Sequence, residues 1–173
     1  RFDAMFDEIA MALRGACDGE KVEVYKELSH LPLPKTKRLN TTCGYTAYLK
    51  IADGCEKFCT YCVIPSIRGK YRSVPMERIL EEARLLAADG AKELILVAQE
   101  TTLYGVDLYG KKALPELLTK LCEIEGPEWI RLLYCYPEEI TDELIAVMKE
   151  QPKICRYLDL PIQHASETFL KRM

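Results

Sequence analysis

Cys55, Cys59 and Cys62 fall within eight residues, in the run Asp53-Gly54-Cys55-Glu56-Lys57-Phe58-Cys59-Thr60-Tyr61-Cys62. Steps of four and three residues let one loop wrap three thiolates around a single centre. A structural zinc takes four ligands, usually as two Cys-x-x-Cys pairs, and the sequence holds no second pair. For zinc it offers only His164 or a distant thiol as the fourth ligand. A 4Fe–4S cubane held by three thiolates instead leaves one iron open to a small molecule. Clustered thiols in a reducing compartment point to metal rather than to disulfides. The other five cysteines, Cys17, Cys43, Cys122, Cys135 and Cys155, are scattered. Cys122 and Cys155 sit at apolar positions and read as packed thiols.

The elements that must hold this loop follow from periodicity. Phe2, Met5, Phe6, Ile9, Ala10 and Leu13 recur at helical spacing, with Gly15 placed to end the helix. Lys21 to Tyr25 reads as a short strand. Pro32 and Pro34 exclude a continuing helix or a central strand, so residues 29–44 read as a linker. From Tyr45 strand and helix patterns alternate. Strands are expected at Ala47–Ala52, Leu94–Ala98, Trp129–Tyr134 and Tyr157–Leu160, the second with both faces buried. Helices are expected from Pro75 to Asp89, from Leu114 to Glu125, and after Thr141; Ser166 caps a last one. A loop of about fifteen residues follows the second strand. Four βα units predict a parallel sheet with right-handed crossovers, in an α/β fold. No Gly-x-Gly-x-x-Gly follows the first strand, which argues against a dinucleotide fold and favours part of a (β/α) barrel. Chemistry in such a fold lies at the carboxyl ends of the strands, in the loops beginning at Asp53, Gln99, Cys135 and Pro161.

Composition narrows the class. Of 173 residues 49% are hydrophobic and 29% charged, as in an ordinary globular protein, and the net charge of −3 provides no basic footprint for nucleic acid. No apolar run approaches the eighteen or so residues of a membrane span. No signal-peptide pattern opens the chain, so the cytoplasm is the expected compartment. The first residue is not Met and the last six stop within a helical pattern, which reads as an excerpt of a longer protein.

An open iron suits S-adenosylmethionine, whose amino nitrogen and carboxylate can chelate it and set the sulfonium beside the cluster. One electron then cleaves a carbon–sulfur bond and releases a 5′-deoxyadenosyl radical. The run Cys-x-x-x-Cys-x-Tyr-Cys after a first strand resembles the radical S-adenosylmethionine superfamily. Further runs carry the likeness on: Ile64-Pro65-Ser66-Ile67-Arg68-Gly69-Lys70-Tyr71-Arg72-Ser73, Gln99-Glu100-Thr101-Thr102, Cys135-Tyr136-Pro137 and Gln163-His164-Ala165-Ser166. Together they resemble the methylthiotransferases of that superfamily, in particular the type acting on an aspartate β-carbon of small-subunit ribosomal protein S-twelve. The related tRNA adenosine methylthiotransferases carry Gln-Asn-Val-Asn, Ser-His-Pro and Gln-Ser-Gly-Ser at the last three places. The likeness covers residues 45–173 strongly and 1–44 loosely.

The resemblance implies a radical barrel over 45–173 truncated at its C-terminal end, with residues 1–28 closing an upstream α/β domain. It implies a second 4Fe–4S cluster in the parent protein, a C-terminal β-domain, and a second S-adenosylmethionine as methyl donor. Ribosomal protein S-twelve and an electron-donor protein would be the partners, with tRNA replacing the former under the alternative; a non-catalytic zinc module is the alternative of another class. The implied metal ligands are Cys55, Cys59 and Cys62. Tyr61 would pack near the adenine, Gln99 and Glu100 would meet the cofactor amino group, and Arg68 a carboxylate. His164 would orient substrate or cofactor, its plainer role being to cap a helix start. Lys70 and Arg72 read as solvated, and Tyr104, Tyr134 and Tyr136 stand at strand ends without an assigned role. Cys135 is expected not to be a ligand, since a fourth thiolate would close the open iron.

Overall fold

Alternation along Thr46–Lys50 (β1) sends Ala47 and Leu49 to a buried face and Tyr48 and Lys50 to an exposed one. That split orients everything after it. The computed structural model describes residues 6–23 and 44–172, and the chain divides into two units, Arg1–Thr36 and Lys37–Met173.

In the first unit, α1 spans Phe6–Cys17 and runs past Gly15. Gly15 is therefore not the stop: a Cβ there would lie 2.2 Å from Val22 Cγ2, so its bare backbone makes room for the returning chain. The stop is Gly19 at φ +79°, with Gly19 N–H donating to Ala16 O (3.2 Å) and Glu20 N–H to Gly15 O (2.9 Å), a Schellman closure. Residues 21–23 form no strand, and Lys21 pairs with Glu23 on that segment. The rest of the expected strand and nearly all of the 29–44 linker lie outside the described residues.

In the second unit, β1, β4 (Glu93–Val97), β5 (Trp129–Leu132) and β6 (Ile154–Leu158) form one parallel sheet in the order β1-β4-β5-β6. Sequential parallel order with helices between is a partial (β/α) barrel. Ala47, Leu94, Ile130 and Ile154 align in one row and Leu49, Leu96, Leu132 and Leu158 in the next. These rows face α3 (Met76–Ala88), α5 (Leu114–Cys122) and α6 (Asp142–Glu150), whose Ile79, Ala83, Leu86, Leu117, Leu118, Leu121 and Leu144 complete the core. The opposite face carries Tyr48, Arg131 and Tyr157, with Arg131 Nε donating to Glu93 Oε1 at 2.7 Å. Burial on both faces, expected for the second strand, therefore holds for Leu94–Leu96 and lapses at half-buried Val97.

The first strand does not run unbroken to Ala52. Ile51 donates its N–H to Val97 O (3.1 Å) and accepts at its own carbonyl from Val74 N–H (2.8 Å), so the chain steps from the sheet into a second pairing. There Ala52–Asp53 (β2) meets Arg72–Ser73 (β3) antiparallel, with Asp53 opposite Arg72. The segment between holds the cysteine loop and α2 (Ile64–Arg68). The loop after β4 contains one helical turn, α4 (Val106–Tyr109), in place of continuous loop. α5 stops at Cys122 rather than Glu125. The fourth strand begins at Ile154 rather than Tyr157, because Ile154 supplies the buried partner of Ile130. Ser166 precedes the last turn, α7 (Glu167–Leu170), but its hydroxyl makes no capping bond. Thr141 does cap α6, its Oγ1 accepting from Leu144 N–H at 3.2 Å.

Candidate functional site

The β2–β3 ribbon brings the two ends of the cysteine segment together at the carboxyl end of the sheet. Gly54 opens the loop at φ +83°, where a Cβ would lie 2.1 Å from Lys70 O, so only glycine fits. Its N–H is shared between Gln99 Oε1 at 2.8 Å and Asp53 Oδ1 at 3.0 Å. Cys55 N–H donates to Gly69 O at 3.2 Å and Cys62 N–H to Cys59 O at 2.8 Å, which turns the chain between the second and third thiols. Phe58 takes φ +48°, uncommon for a non-glycine residue, and projects into solvent.

Cys55, Cys59 and Cys62 are half-buried free thiols. Burial pushes the Cys55 thiol up; a backbone N–H from Lys57 opposes this, and the charges of Glu100, Cys59 and Cys62 add to it. Among the described residues no three His, Cys, Asp or Glu side chains converge at metal-binding distance. The donor set itself fits a three-thiolate cluster: three cysteines on one loop, sheltered but reachable, at the end of the sheet where barrel chemistry lies. Cys135 stands apart from them. It is fully buried, its N–H donates to Asp159 O at 2.9 Å, and burial pushes its thiol up to about 12.

The loop is gripped from the β5 side as well. Lys57 pairs with Glu139 in the 3-10 turn Pro137–Glu139, and Lys112 reaches the other carboxylate oxygen at 2.8 Å. The Lys57 ammonium also lies 4.7 Å from the centre of the Tyr136 ring, whose hydroxyl is 3.4 Å from Cys59 Sγ. Beneath the loop, Asp53 is buried and gathers Lys50 at 3.0 Å, Arg68 at 3.8 Å and Arg72 at 3.9 Å.

A cavity of about 390 Å³ opens beside this cluster of charges, lined by Lys50, Ile64, Arg68, Ala98, Gln99 and Tyr134 among others. That volume lies in the range of small-molecule sites. Of the residues expected from sequence, it brings together Arg68 and Gln99. Glu100 follows Gln99 in the chain but does not line the cavity and is 1% exposed; its Oε1 accepts from Thr102 N–H at 3.0 Å and from the Thr102 hydroxyl, while its Oε2 is buried without a hydrogen bond. Burial raises the Glu100 carboxyl above the usual range. Tyr61 is exposed on the loop. His164 is exposed too, its Nδ1 accepting from Ser166 N–H at 2.8 Å at the start of α7 and its ring 4.5 Å from that of Phe169. Arg72, read as solvated, is instead folded onto Asp53 and the carbonyls of Lys70 and Arg68.

Sequence reasoning gave no role to Asp53, Lys57, Tyr136 or Glu139, although it placed Asp53 at the start of the loop and Tyr136 at a strand end. Asp53 had a local signal, adjacency to the loop. The other three meet only through folding across about eighty residues, and nothing in their spacing announces it.

Residues 49–173 match the family described as the Radical SAM superfamily. The chain is 63% identical over 168 residues to the ribosomal protein uS12 methylthiotransferase RimO of Lachnoclostridium phytofermentans, covering 97% of this chain and 38% of that protein. It is 54% identical over 172 residues to the protein of the same name from Clostridium botulinum strain Hall, covering 99% of this chain and 38% of the relative. The chain thus spans about 38% of the length of these relatives. Among solved structures, the radical S-adenosylmethionine methyltransferase TsrM from Kitasatospora setae, with cobalamin and a 4Fe–4S cluster bound, superposes with a TM-score of 0.58 at 20% identity. That match covers 72% of this chain and 24% of TsrM, and it bears on the fold alone.

Proposed function

The chain belongs to the radical SAM superfamily, and on that footing we propose that it is the front of the catalytic barrel of a methylthiotransferase acting on ribosomal protein uS12. The observation that carries the proposal is the placement of three free thiols on one loop beside a 390 Å³ cavity with cationic and amide walls. The 63% identity to a protein named for that activity supports the substrate.

In this reading Cys55, Cys59 and Cys62 hold a 4Fe–4S cluster and leave one iron for S-adenosylmethionine. When bound, the pair supplies a carbon radical able to take hydrogen from an unactivated carbon, the β-carbon of an aspartate. Lys50 and Arg68 hold positive charge at the cavity wall, where a carboxylate would dock, and Asp53 keeps that charge from being excessive before docking. Glu100 keeps one buried carboxyl oxygen without a hydrogen bond, and a donor such as an ammonium group would satisfy it. Gln99 spends its carbonyl on Gly54 and so fixes the loop against β4 while its side chain lines the cavity. Tyr61 packs near the adenine, and His164 orients substrate from the loop after β6. The parent protein adds an upstream domain ending near residue 28, a linker over 29–44, a second cluster as sulfur source and a C-terminal β-domain. Its electrons come from a donor protein in the cytoplasm.

The test uses the full-length parent in a host lacking its own enzyme. Mass spectrometry of ribosomal protein uS12 and of tRNA nucleosides, with the intact gene and with Cys59→Ala, reads both substrate and cluster dependence. Modified aspartate only with the intact gene is the expected result. Modified adenosine would overturn the substrate, and one zinc per chain without iron would overturn the chemistry.

A further inference from the structure

We propose that Tyr136 sets the reduction potential of the cluster on the cysteine loop by donating a hydrogen bond to the Cys59 sulfur. The inference rests on Cys55, Cys59 and Cys62 being the cluster ligands. The Tyr136 hydroxyl stands 3.4 Å from Cys59 Sγ, within the range of a hydrogen bond to sulfur. An iron-bound cysteine is a thiolate and can only accept, so the phenol is the donor.

The contact is held from both ends of the tyrosine. Its N–H donates to Thr102 Oγ1 at 3.2 Å, and Thr102 is itself fixed on Glu100. Its carbonyl accepts from Glu139 N–H at 3.0 Å, and Glu139 anchors Lys57 over the ring. Lys57, 4.7 Å from the ring centre, draws electron density from the ring and makes the hydroxyl a stronger donor. Cys59 is the loop sulfur that a replaceable side chain reaches, through the Tyr136 hydroxyl.

Reduction adds one electron to the cluster and takes its core from the 2+ to the 1+ state, with no proton transferred. The added charge is partly carried by the thiolate sulfurs, so a donor at Cys59 binds the reduced state more strongly and raises the potential. Tyr136 touches no reacting atom in this role; it tunes the electron's entry.

The experiment is a redox titration of the full-length protein with its clusters in place, using dithionite as reductant and electron paramagnetic resonance as readout. The cluster in question is the one whose signal changes when S-adenosylmethionine is added. Tyr136→Phe is expected to move its midpoint to more negative potential with iron content unchanged, and 3-fluorotyrosine at the same position, a stronger donor of nearly the same shape, to move it the other way. A purely structural role would alter stability and leave both midpoints where they were. Should the Phe variant lose iron, the fluorotyrosine protein decides, and an unshifted midpoint in either iron-replete variant overturns the inference. A parent protein with no signal responsive to S-adenosylmethionine would overturn the cluster reading itself.

Discussion

Gln99 Oε1 accepts the backbone N–H of Gly54 at 2.8 Å, tying the carboxyl end of β4 to the residue just before Cys55. β4 is buried over Leu94–Leu96, whereas the cysteine loop has little core of its own: Phe58, Tyr61 and Val63 face solvent. Its position is therefore inherited through a few bonds, and each can be tested alone.

Gln99→Ala removes one of the two acceptors of Gly54 N–H and leaves Asp53 Oδ1. A single such bond contributes about 1 kcal/mol net. Amide hydrogen exchange over residues 53–62 of the full-length protein should accelerate roughly five-fold, with α5 amides unchanged. Equal exchange in variant and parent would show that β4 does not position the loop.

Gly54→Ala should be far worse. The backbone sits at φ +83° and the new Cβ would meet Lys70 O at 2.1 Å. Left-handed strain and overpacking together cost roughly 2–5 kcal/mol, and the reconstituted protein should bind little iron. Gly110→Ala is the control: φ is +66° with nothing within 4 Å of the added Cβ, so only strain of about 1 kcal/mol applies. Similar losses of thermal midpoint in the two variants would sink the steric explanation.

What the sequence made legible was whatever local pattern encodes. The apolar face of α3, the Thr141 cap and the buried run in β4 are periodic or positional signals, and they appear where expected. The β2–β3 ribbon was not legible, because two-residue strands carry no period and the break at Ile51 depends on Val97 and Val74. In the site, the three cysteines announce themselves by spacing. The ties among Lys57, Glu139 and Tyr136 are long-range and charge-driven, and Arg72 looked solvated because its partner Asp53 is brought opposite only by the ribbon.

Asp53→Ala leaves Lys50, Arg68 and Arg72 facing one another without their shared anion. Breaking a fully buried pair costs ~3–5 kcal/mol. Lys50 and Arg68 side chains are 45% and 42% exposed and can turn to water, so about 2–3 kcal/mol is expected. Asp53→Asn keeps an acceptor for Gly54 N–H and should recover part of the loss. Chemical denaturation of the three proteins in parallel checks the order, and an Asn variant no better than Ala would show that charge alone mattered.

Glu139 gives the site an acid-sensitive clasp. Its carboxyl is held below the usual 4.5, first by the hydrogen bond from Lys112 and then by that from Lys57. A group whose folded value is depressed contributes stability above its unfolded value and loses it as pH falls through the folded one. Glu100 works in the opposite sense: burial raises its carboxyl, so its contribution is complete at low pH and is lost as pH rises through the folded value. Glu139→Gln should therefore cost about 1 kcal/mol at pH 7, as expected of partly exposed ion pairs. The difference from the parent should shrink as the pH is taken well below 4.5, where the parent's own carboxylate is neutral. Denaturation curves of both proteins at pH 7 and in the acid range test this directly. A gap of constant size would mean that Glu139 holds the cysteine loop by shape rather than by charge.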